Sequence, residues 1–70
     1  MSNLKRIRQS LGMSQNQLSE ISGVNVRMIQ HYEQGFKDIN KAQGITLYKL
    51  ARALNCQIEN LIEIKKEAGE

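Results

Sequence analysis

The stretch QNQLSEISGVNVRMIQHYEQG, residues Gln15–Gly35, gives the most specific prediction of the fold of this chain. It holds two short segments with apolar residues at helical spacing, separated by a turn that contains Gly23. Ser14 precedes the first segment and Gln17 follows three residues later, which is the spacing of a capping box, and Asn25 is a favourable N-cap for the second segment. The stretch therefore predicts two helices joined by a sharp turn, the layout of a helix-turn-helix.

Three features of this stretch suit two helices that cross closely at a steep angle. Ser19 is the small residue needed where the first helix faces the second, and Gly23 allows the positive φ that a tight turn demands. The apolar residues that seal the joint are Leu18, Val24 and Ile29. All three demands are met in the right order and spacing, so the prediction is specific, whereas a lone glycine between helices would indicate little.

Another helix is predicted before the stretch. Apolar residues recur there at i, i+3 and i+7: Leu4, Ile7 and Leu11. Either Ser2 or Asn3 is expected to cap this helix, and Gly12 to end it as a left-handed residue. The apolar positions expected in the next two helices are Leu18 with Ile21, and Ile29 with Tyr32.

Two more helices are predicted after the stretch. The fourth has two possible starts, Lys41 after an Asn40–Gln43 capping box, or a point near Thr46, because Gly44 costs a helix about 1 kcal/mol relative to Ala. Its apolar positions are Leu47, Leu50, Ala51 and Leu54, and those of a short fifth helix are Ile58, Leu61 and Ile62. No alternating run bounded by hairpin turns indicates a strand, so the expected fold class is all-α.

Length and composition bound the classes of protein to consider. The chain has 70 residues, enough for one small core, so residues 1–64 are expected to form one domain and residues 65–70 a charged, frayed tail. A single cysteine, Cys56, and a single histidine, His31, exclude an internal disulfide and a structural zinc site, and Cys56 is expected to be a core residue. We expect no metal, no cofactor and no small-molecule ligand.

Enzymatic and membrane functions are not indicated by the sequence. It contains no metalloprotease, nucleophile-elbow or phosphate-loop motif, so an enzyme is not expected. No apolar stretch approaches the roughly 20 residues that cross a bilayer, and the first eight residues lack the apolar region of a secretory signal. The expected location is the cytoplasm, in association with the nucleoid when the protein is bound to DNA.

Positive charge is concentrated in the first part of the chain. The net charge is +3, and up to Lys41 there are six basic residues against three acidic ones, while the remainder has four of each. This distribution favours a polyanionic partner on that side of the molecule, although a net charge this small is equally compatible with a solvated surface.

Four motifs together resemble a known family. They are RxxxG at Arg8–Gly12, SQNQLS at Ser14–Ser19, SGV at Ser22–Val24 and IQHYEQG at Ile29–Gly35. The sequence from Leu4 to about Ile62 resembles the lambda-repressor-like, xenobiotic-response-element-type helix-turn-helix regulators, which include Cro and repressor proteins. The resemblance implies a compact five-helix domain that places its third helix in the DNA major groove and regulates transcription.

The resemblance also implies which residues touch the bases. The outward face of the third helix would comprise Asn25, Val26, Arg27, Gln30 and His31. The chemistry suits this assignment, since Arg27 can pair with guanine O6 and N7, Gln30 with adenine N6 and N7, and Val26 can pack on a thymine methyl.

Phosphate contacts and a structural ion pair are implied in the same way. The phosphate-binding residues would be Gln15, Gln34, Lys37 and Lys41. Arg8 and Glu33 match a largely buried ion pair that ties the first helix to the third. Two features depart from the family: the loop Phe36–Gly44 is longer than in phage repressors and lacks proline, and Gln57 replaces the usual Ser or Thr cap, which implies a weaker fifth helix.

Assembly follows from the energetics of recognition. One recognition helix reads about four or five base pairs, and each contact discriminates by about 1–3 kcal/mol, which is too little against a genome of competing sites. The C-terminal end carries more apolar residues than a thin helix needs: Ile58, Leu61, Ile62 and Ile64. We therefore expect a homodimer, at least on DNA, formed through these residues.

The function predicted from the sequence is that of a sequence-specific DNA-binding regulator. The main hypothesis is a repressor that acts by occupying an operator. An alternative is an antitoxin that binds a toxin partner and autoregulates through the same helix-turn-helix. Such a protein usually needs a flexible arm, and residues 65–70 are too short and polar to form a convincing one.

Overall fold

The computed structural model describes residues 2–63 of the chain. Over this range the fold is all-helical, with five α-helices and one 3₁₀ turn, as predicted. The helices are α1 (Asn3–Ser10), α2 (Gln15–Ser22), α3 (Val26–Gln34), α4 (Gly44–Ala53) and α5 (Ile58–Leu61), and the 3₁₀ turn is Ile39–Lys41. None of these helices has the length and apolar character needed to cross a bilayer. Ile64 and the predicted tail lie outside the described residues.

Helix α1 begins and ends close to the predicted positions. Ser2 is its N-cap and accepts a hydrogen bond from the Lys5 amide at 3.0 Å. Gly12 follows the helix with φ +67°, as expected. The apolar series of this helix is buried only in part: Leu4 is buried, but Leu11, the residue after the last helical position, is 53% exposed.

The two helices of the central stretch form as predicted. Ser14 and Gln17 make a reciprocal capping box at the start of α2, and Asn25 caps α3. The turn between them contains Gly23 in the left-handed conformation, φ +76°. The three residues predicted to seal the joint are all buried: Leu18, Val24 and Ile29. The Ser19 hydroxyl donates to the Val24 carbonyl at 2.7 Å and so links the end of α2 to the turn.

One core position predicted in α2 is wrong. Ile21 is 61% exposed, although Leu18 is fully buried. Helix α2 packs against α3 and α4. Its less exposed residues follow the spacing i, i+3, i+4 and i+7: Leu18 is buried, and Gln15, Ser19 and Ser22 are half-buried. Three of these four are polar, so hydrophobicity alone does not identify this side of the helix, and Ile21 lies outside it.

Helix α4 begins at Gly44, between the two predicted starts. The expected Asn40–Gln43 capping box does not form, because Asn40 belongs to the preceding 3₁₀ turn, which is capped by Asp38. The predicted apolar positions of α4 are all buried: Leu47, Leu50, Ala51 and Leu54. Asn55 then takes a left-handed conformation with φ +53°, as predicted.

Helix α5 is a single turn whose Leu61 is fully buried. Gln57 stands at its N-cap, and the side-chain oxygen of Asn60, inside the helix, accepts a hydrogen bond from the Gln57 amide at 3.0 Å. Cys56, before the helix, is half-buried against the core, and burial raises the pKa of its thiol. Ile62 is already extended, so the predicted inclusion of Ile62 in the helix is wrong.

The segment after α5 closes the domain by binding its beginning and its middle. The Glu63 carboxylate accepts a hydrogen bond from the Asn3 amide at 2.8 Å, at the N-terminus of α1. The Asn40 side chain pairs with both backbone groups of Glu63, each at 2.8 Å. Glu63, which follows α5, thereby links the start of α1 to the 3₁₀ turn.

Candidate nucleic-acid interface

Helix α3 has two distinct faces. Ile29 and Tyr32 are buried in the core, as predicted. The opposite face carries polar side chains at i, i+3, i+4 and i+7: Arg27, Gln30, His31 and Gln34. Arg27 and Gln34 are exposed, and Gln30 and His31 are half-buried. The structure thus places four of the predicted contact residues on one surface, over roughly 10 Å of helix.

The other two predicted base-reading residues lie at the N-terminus of α3. Asn25 is exposed, and its side-chain oxygen accepts a hydrogen bond from the Arg27 amide at 2.7 Å. The side-chain NH₂ of Asn25 is the part of the group that points away from this cap. Val26 is half-buried at the first helical position. The capping bond orients Asn25 and fixes the direction in which α3 leaves the turn.

The C-terminus of α3 ends in a Schellman motif. Gly35 is left-handed, with φ +84°, and the Phe36 amide donates to the His31 carbonyl at 2.9 Å. The Phe36 ring meets the His31 imidazole edge to face, with 5.9 Å between the ring centroids. Phe36 is nevertheless 75% exposed. Sequence reasoning assigned Phe36 only to a loop; an apolar residue directly after a helix-ending glycine was the available signal.

A buried polar cluster around Arg8 and Glu33 holds α3 against α1. Arg8 Nε lies 2.7 Å from Glu33 Oε2, and the two side chains are 10% and 2% exposed. A second Arg8 nitrogen donates to Glu33 Oε1 at 3.0 Å, and a third donates to the Met13 carbonyl at 2.7 Å. The hydrogen bonds from Arg8 to Glu33 raise the pKa of the guanidinium, against the opposing effect of burial. The polar cluster therefore ties α1, the following loop and α3 together.

Gln15 is part of the same polar cluster. Its side-chain NH₂ donates to Glu33 Oε1 at 2.9 Å. The predicted role of Gln15 was to bind a phosphate at the start of α2. The amide has a second N–H that is not used in this bond, so the Glu33 contact positions the group and leaves one donor for another partner.

The two loop lysines predicted to contact phosphates are both exposed. Lys37 follows Phe36 directly, and Lys41 ends the 3₁₀ turn. Two acidic residues occur in this part of the chain. Glu33 is neutralised by Arg8, and Asp38 accepts a hydrogen bond from the Asn40 amide at 2.9 Å. Together with Arg27, the lysines give this side of the molecule a net positive charge.

The predicted dimer surface needs correction. Leu61 is fully buried in the core of its own chain and is not available to a second copy, so its assignment to the interface is wrong. The reason is that the single turn of α5 must supply an apolar anchor to the core. Ile58 on the same helix is 37% exposed, Ile62 is half-buried, and Ile64 lies outside the described residues.

The described residues contain no cluster of three metal-ligating side chains. Every buried side-chain nitrogen and oxygen in this part of the chain has a hydrogen-bond partner. The polar groups that remain available are therefore on the surface.

Comparison with known protein families finds one that matches most of the chain. A family model described as Helix-turn-helix matches residues 4–61, from α1 to the end of α5. No curated protein and no solved structure matches the chain. The family match therefore rests on the same residues that build the core, the turn and the exposed face of α3.

Proposed function

The chain belongs to the helix-turn-helix family of DNA-binding regulators, of the Cro and repressor type, and we propose that it is a sequence-specific repressor that occupies an operator. The observation that supports this most strongly is the polar outward face of α3, on which Arg27 and Gln34 are exposed and Gln30 and His31 are half-buried. A helix that buries one face and offers donors and acceptors on the other suits the major groove, which is wide enough to admit it.

Each end of this face has a distinct proposed role. Arg27 pairs with a guanine, Gln30 with an adenine, and Val26 packs on a thymine methyl, with Asn25 and His31 contributing further base contacts. Gln34, at the far end of α3, contacts the backbone. These roles agree with the usual docking of a recognition helix, whose N-terminal residues reach the base edges.

Phosphate contacts fix the register of the protein on the duplex. Lys37 and Lys41 are exposed in the loop after α3, and Gln15 has a free amide N–H at the start of α2. Phosphate contacts position a protein without reading sequence, so these three residues supply affinity and Arg27 supplies discrimination.

Two copies are proposed to act together on DNA. One recognition helix cannot discriminate an operator from a genome of other sites, so a two-fold dimer with recognition helices about 34 Å apart is proposed. Two residues of the predicted surface remain available in the described part of the chain: the exposed Ile58 and, four residues further on, the half-buried Ile62. The contact is small, so the dimer is proposed to form on DNA and to be weak in its absence.

In-vitro selection of duplexes bound by the purified protein tests this proposal. The expected result is an inverted repeat with half-site centres about 10 base pairs apart. Ile58→Lys should lower the cooperativity of operator binding, while Ile21→Lys, at a still more exposed isoleucine on α2, should leave it unchanged. A selected site without dyad symmetry, bound by one protein per duplex, contradicts the dimer; failure to enrich any sequence contradicts the proposed function.

Repression is tested with a reporter gene placed behind the selected operator. Expression should fall when the wild-type protein is present and recover with Arg27→Ala. An increase in expression with the wild-type protein would show activation and contradict the repressor role.

A further inference from the structure

Phe36 is the most exposed of the large apolar side chains in the described part of the chain, at 75%. It does not lie on a remote surface. Its ring touches His31 on the proposed reading face, and the next residue is Lys37. We propose that Phe36 is a further DNA-contacting residue, whose ring packs on a deoxyribose of the backbone strand beside the recognition helix. This inference rests on the proposed function.

The Schellman motif accounts for the backbone at Phe36 but not for the exposure of the ring. Such motifs place an apolar residue after the helix-ending glycine so that it can contact the last turn. Phe36 makes that contact with His31, yet three quarters of its surface stays in water. Burial of a phenylalanine ring stabilises a folded protein in proportion to the apolar area removed from water, so this domain obtains little stabilisation from Phe36. The ring is available for a partner.

The position of Phe36 favours the sugar-phosphate backbone over the bases. In helix-turn-helix proteins the N-terminal residues of the recognition helix reach the base edges, so the other end of the helix leaves the groove near a strand. Phe36 lies beyond that other end, one residue before a cation suited to a phosphate. The apolar part of the backbone between two phosphates is the deoxyribose, which makes it the matching surface for an aromatic ring.

Backbone contacts to phosphate are already restricted at this point. The amide groups of Phe36 and Lys37 both donate to the His31 carbonyl, at 2.9 and 3.2 Å. Because these two donors are used within the protein, the segment contacts DNA through its side chains. The same two bonds fix the backbone at Phe36, and the edge-to-face contact with His31 orients its ring, which lowers the conformational freedom lost on binding.

A sugar contact has a thermodynamic signature that differs from that of a lysine contact. It depends on apolar area and releases no counterions, so Phe36→Ala should weaken binding to every duplex about three- to tenfold without changing the salt dependence. Lys37→Ala should weaken binding and also reduce the slope of log K against log salt by about 1. Phe36→Leu should retain most of the wild-type affinity.

The test measures duplex binding by fluorescence anisotropy across a salt series, for wild type, Phe36→Ala, Phe36→Leu and Ile21→Ala. Ile21→Ala is the matched control, because Ile21 is also a largely exposed apolar residue but lies on α2. The expected result is parallel lines for wild type and Phe36→Ala, displaced by the predicted factor, with Ile21→Ala coincident with wild type. Thermal unfolding of each variant checks that the fold is intact.

A second arm locates the contacted sugar. Single 2′-O-methyl nucleotides are placed in turn along the flanks of the half-site. At one position the modification should weaken wild-type binding and have a much smaller effect on Phe36→Ala, because that variant has already lost the contact. If the two losses are additive at every position, Phe36 does not touch a sugar.

The remaining outcomes overturn the proposal in distinguishable ways. Unchanged affinity of Phe36→Ala, with Arg27→Ala still impaired, leaves the proposed function intact and rejects the contact. Loss of the Phe36 effect when a thymine is replaced by deoxyuridine assigns the ring to a base methyl instead. A loss of cooperativity with no change in half-site affinity assigns it to a second copy of the chain. No sequence-dependent binding by wild type rejects both the contact and the proposed function.

Discussion

The α2–α3 junction and the closure of the domain are both held by polar side chains, but over very different distances along the chain. At the junction, Ser14 bonds to Gln17, Ser19 to Val24, and Asn25 to Arg27. These partners are two to five residues apart. These hydrogen bonds of the junction are therefore local in sequence; the bond from Gln15 to Glu33, which spans 18 residues, is the exception.

The closure of the domain depends on distant partners. Arg8 bonds to Glu33 across 25 positions, Asn40 to Glu63 across 23, and Asn3 to Glu63 across 60. Each of these contacts exists only when the whole chain is folded. The two helices proposed to read DNA are therefore joined mainly by local contacts. The contacts that hold them to α1 and to the C-terminal segment form only in the complete domain.

Breaking the ion pair should have the largest effect. Arg8→Ala leaves the buried Glu33 carboxylate without its partner, and Glu33→Gln leaves the Arg8 charge uncompensated. Each should lower the free energy of unfolding by about 3–5 kcal/mol, which is most of what a domain of this size has. Denaturant titration followed by circular dichroism measures this. Arg6→Ala, on the exposed side of α1, is the control and should be nearly neutral. Equal midpoints for Arg8→Ala and Arg6→Ala would contradict the structure.

Truncation within α5 should come next. Leu61→Ala removes a fully buried anchor and should lower the free energy of unfolding by about 2–5 kcal/mol. Ile58→Ala, on the exposed side of the same turn, should have little effect on the isolated protein. Thermal unfolding at low protein concentration separates the two. A larger effect for Ile58 than for Leu61 would show that α5 is rotated relative to the core.

A smaller effect is expected within the locally encoded junction. Ser19→Ala removes the donor to the carbonyl of buried Val24 and should lower the free energy of unfolding by about 1–2 kcal/mol. Ser10→Ala is a matched control, because the Ser10 hydroxyl bonds to the Ile7 carbonyl on an exposed surface where water can replace it. A neutral Ser19→Ala would show that the turn is held without this bond.

The smallest effect should come from the exposed link at Glu63. Asn40→Ala removes two hydrogen bonds in contact with water and should lower the free energy of unfolding by about 1 kcal/mol. Hydrogen exchange gives a sharper measurement: the Glu63 amide should lose protection while the Gly23 amide in the junction keeps it. Asn16→Ala, on the exposed side of α2, should change neither. Retained protection of the Glu63 amide in Asn40→Ala would show that the Asn40 side chain does not hold Glu63.

The same difference explains which features the sequence could predict. The caps at Ser14 and Asn25 and the left-handed Gly23 follow from local rules, and the structure confirms them. The buried positions of α3, Ile29 and Tyr32, likewise follow from residue spacing, whereas its outward face was implied by the family resemblance. Arg8 and Glu33 were identified only through the family resemblance, because nothing local relates residues so far apart.

The wrong predictions share a physical cause. Ile21 was assigned to the apolar stripe of α2 because it is apolar, but the inward side of α2 is the buried Leu18 flanked by half-buried polar residues. Leu61 was assigned to an interface because the terminal helix looked over-supplied with apolar groups, yet the core needs it. The pairing of Asn40 with Glu63 uses backbone groups that carry no sequence signal. In each case the outcome is decided by which element packs on which, and that is not a local property.

The outward face of α3 is proposed to read bases while the loop after it holds the backbone. The most direct test measures the affinities of wild type, Arg27→Ala and Lys37→Ala for the selected operator and for each single-base-pair variant of it. Arg27→Ala should lose about 1–3 kcal/mol on the operator together with discrimination at one base pair per half-site, and Lys37→Ala should weaken all duplexes alike. Unchanged affinity and unchanged discrimination in Arg27→Ala would contradict the account, because the reading face would then lie elsewhere.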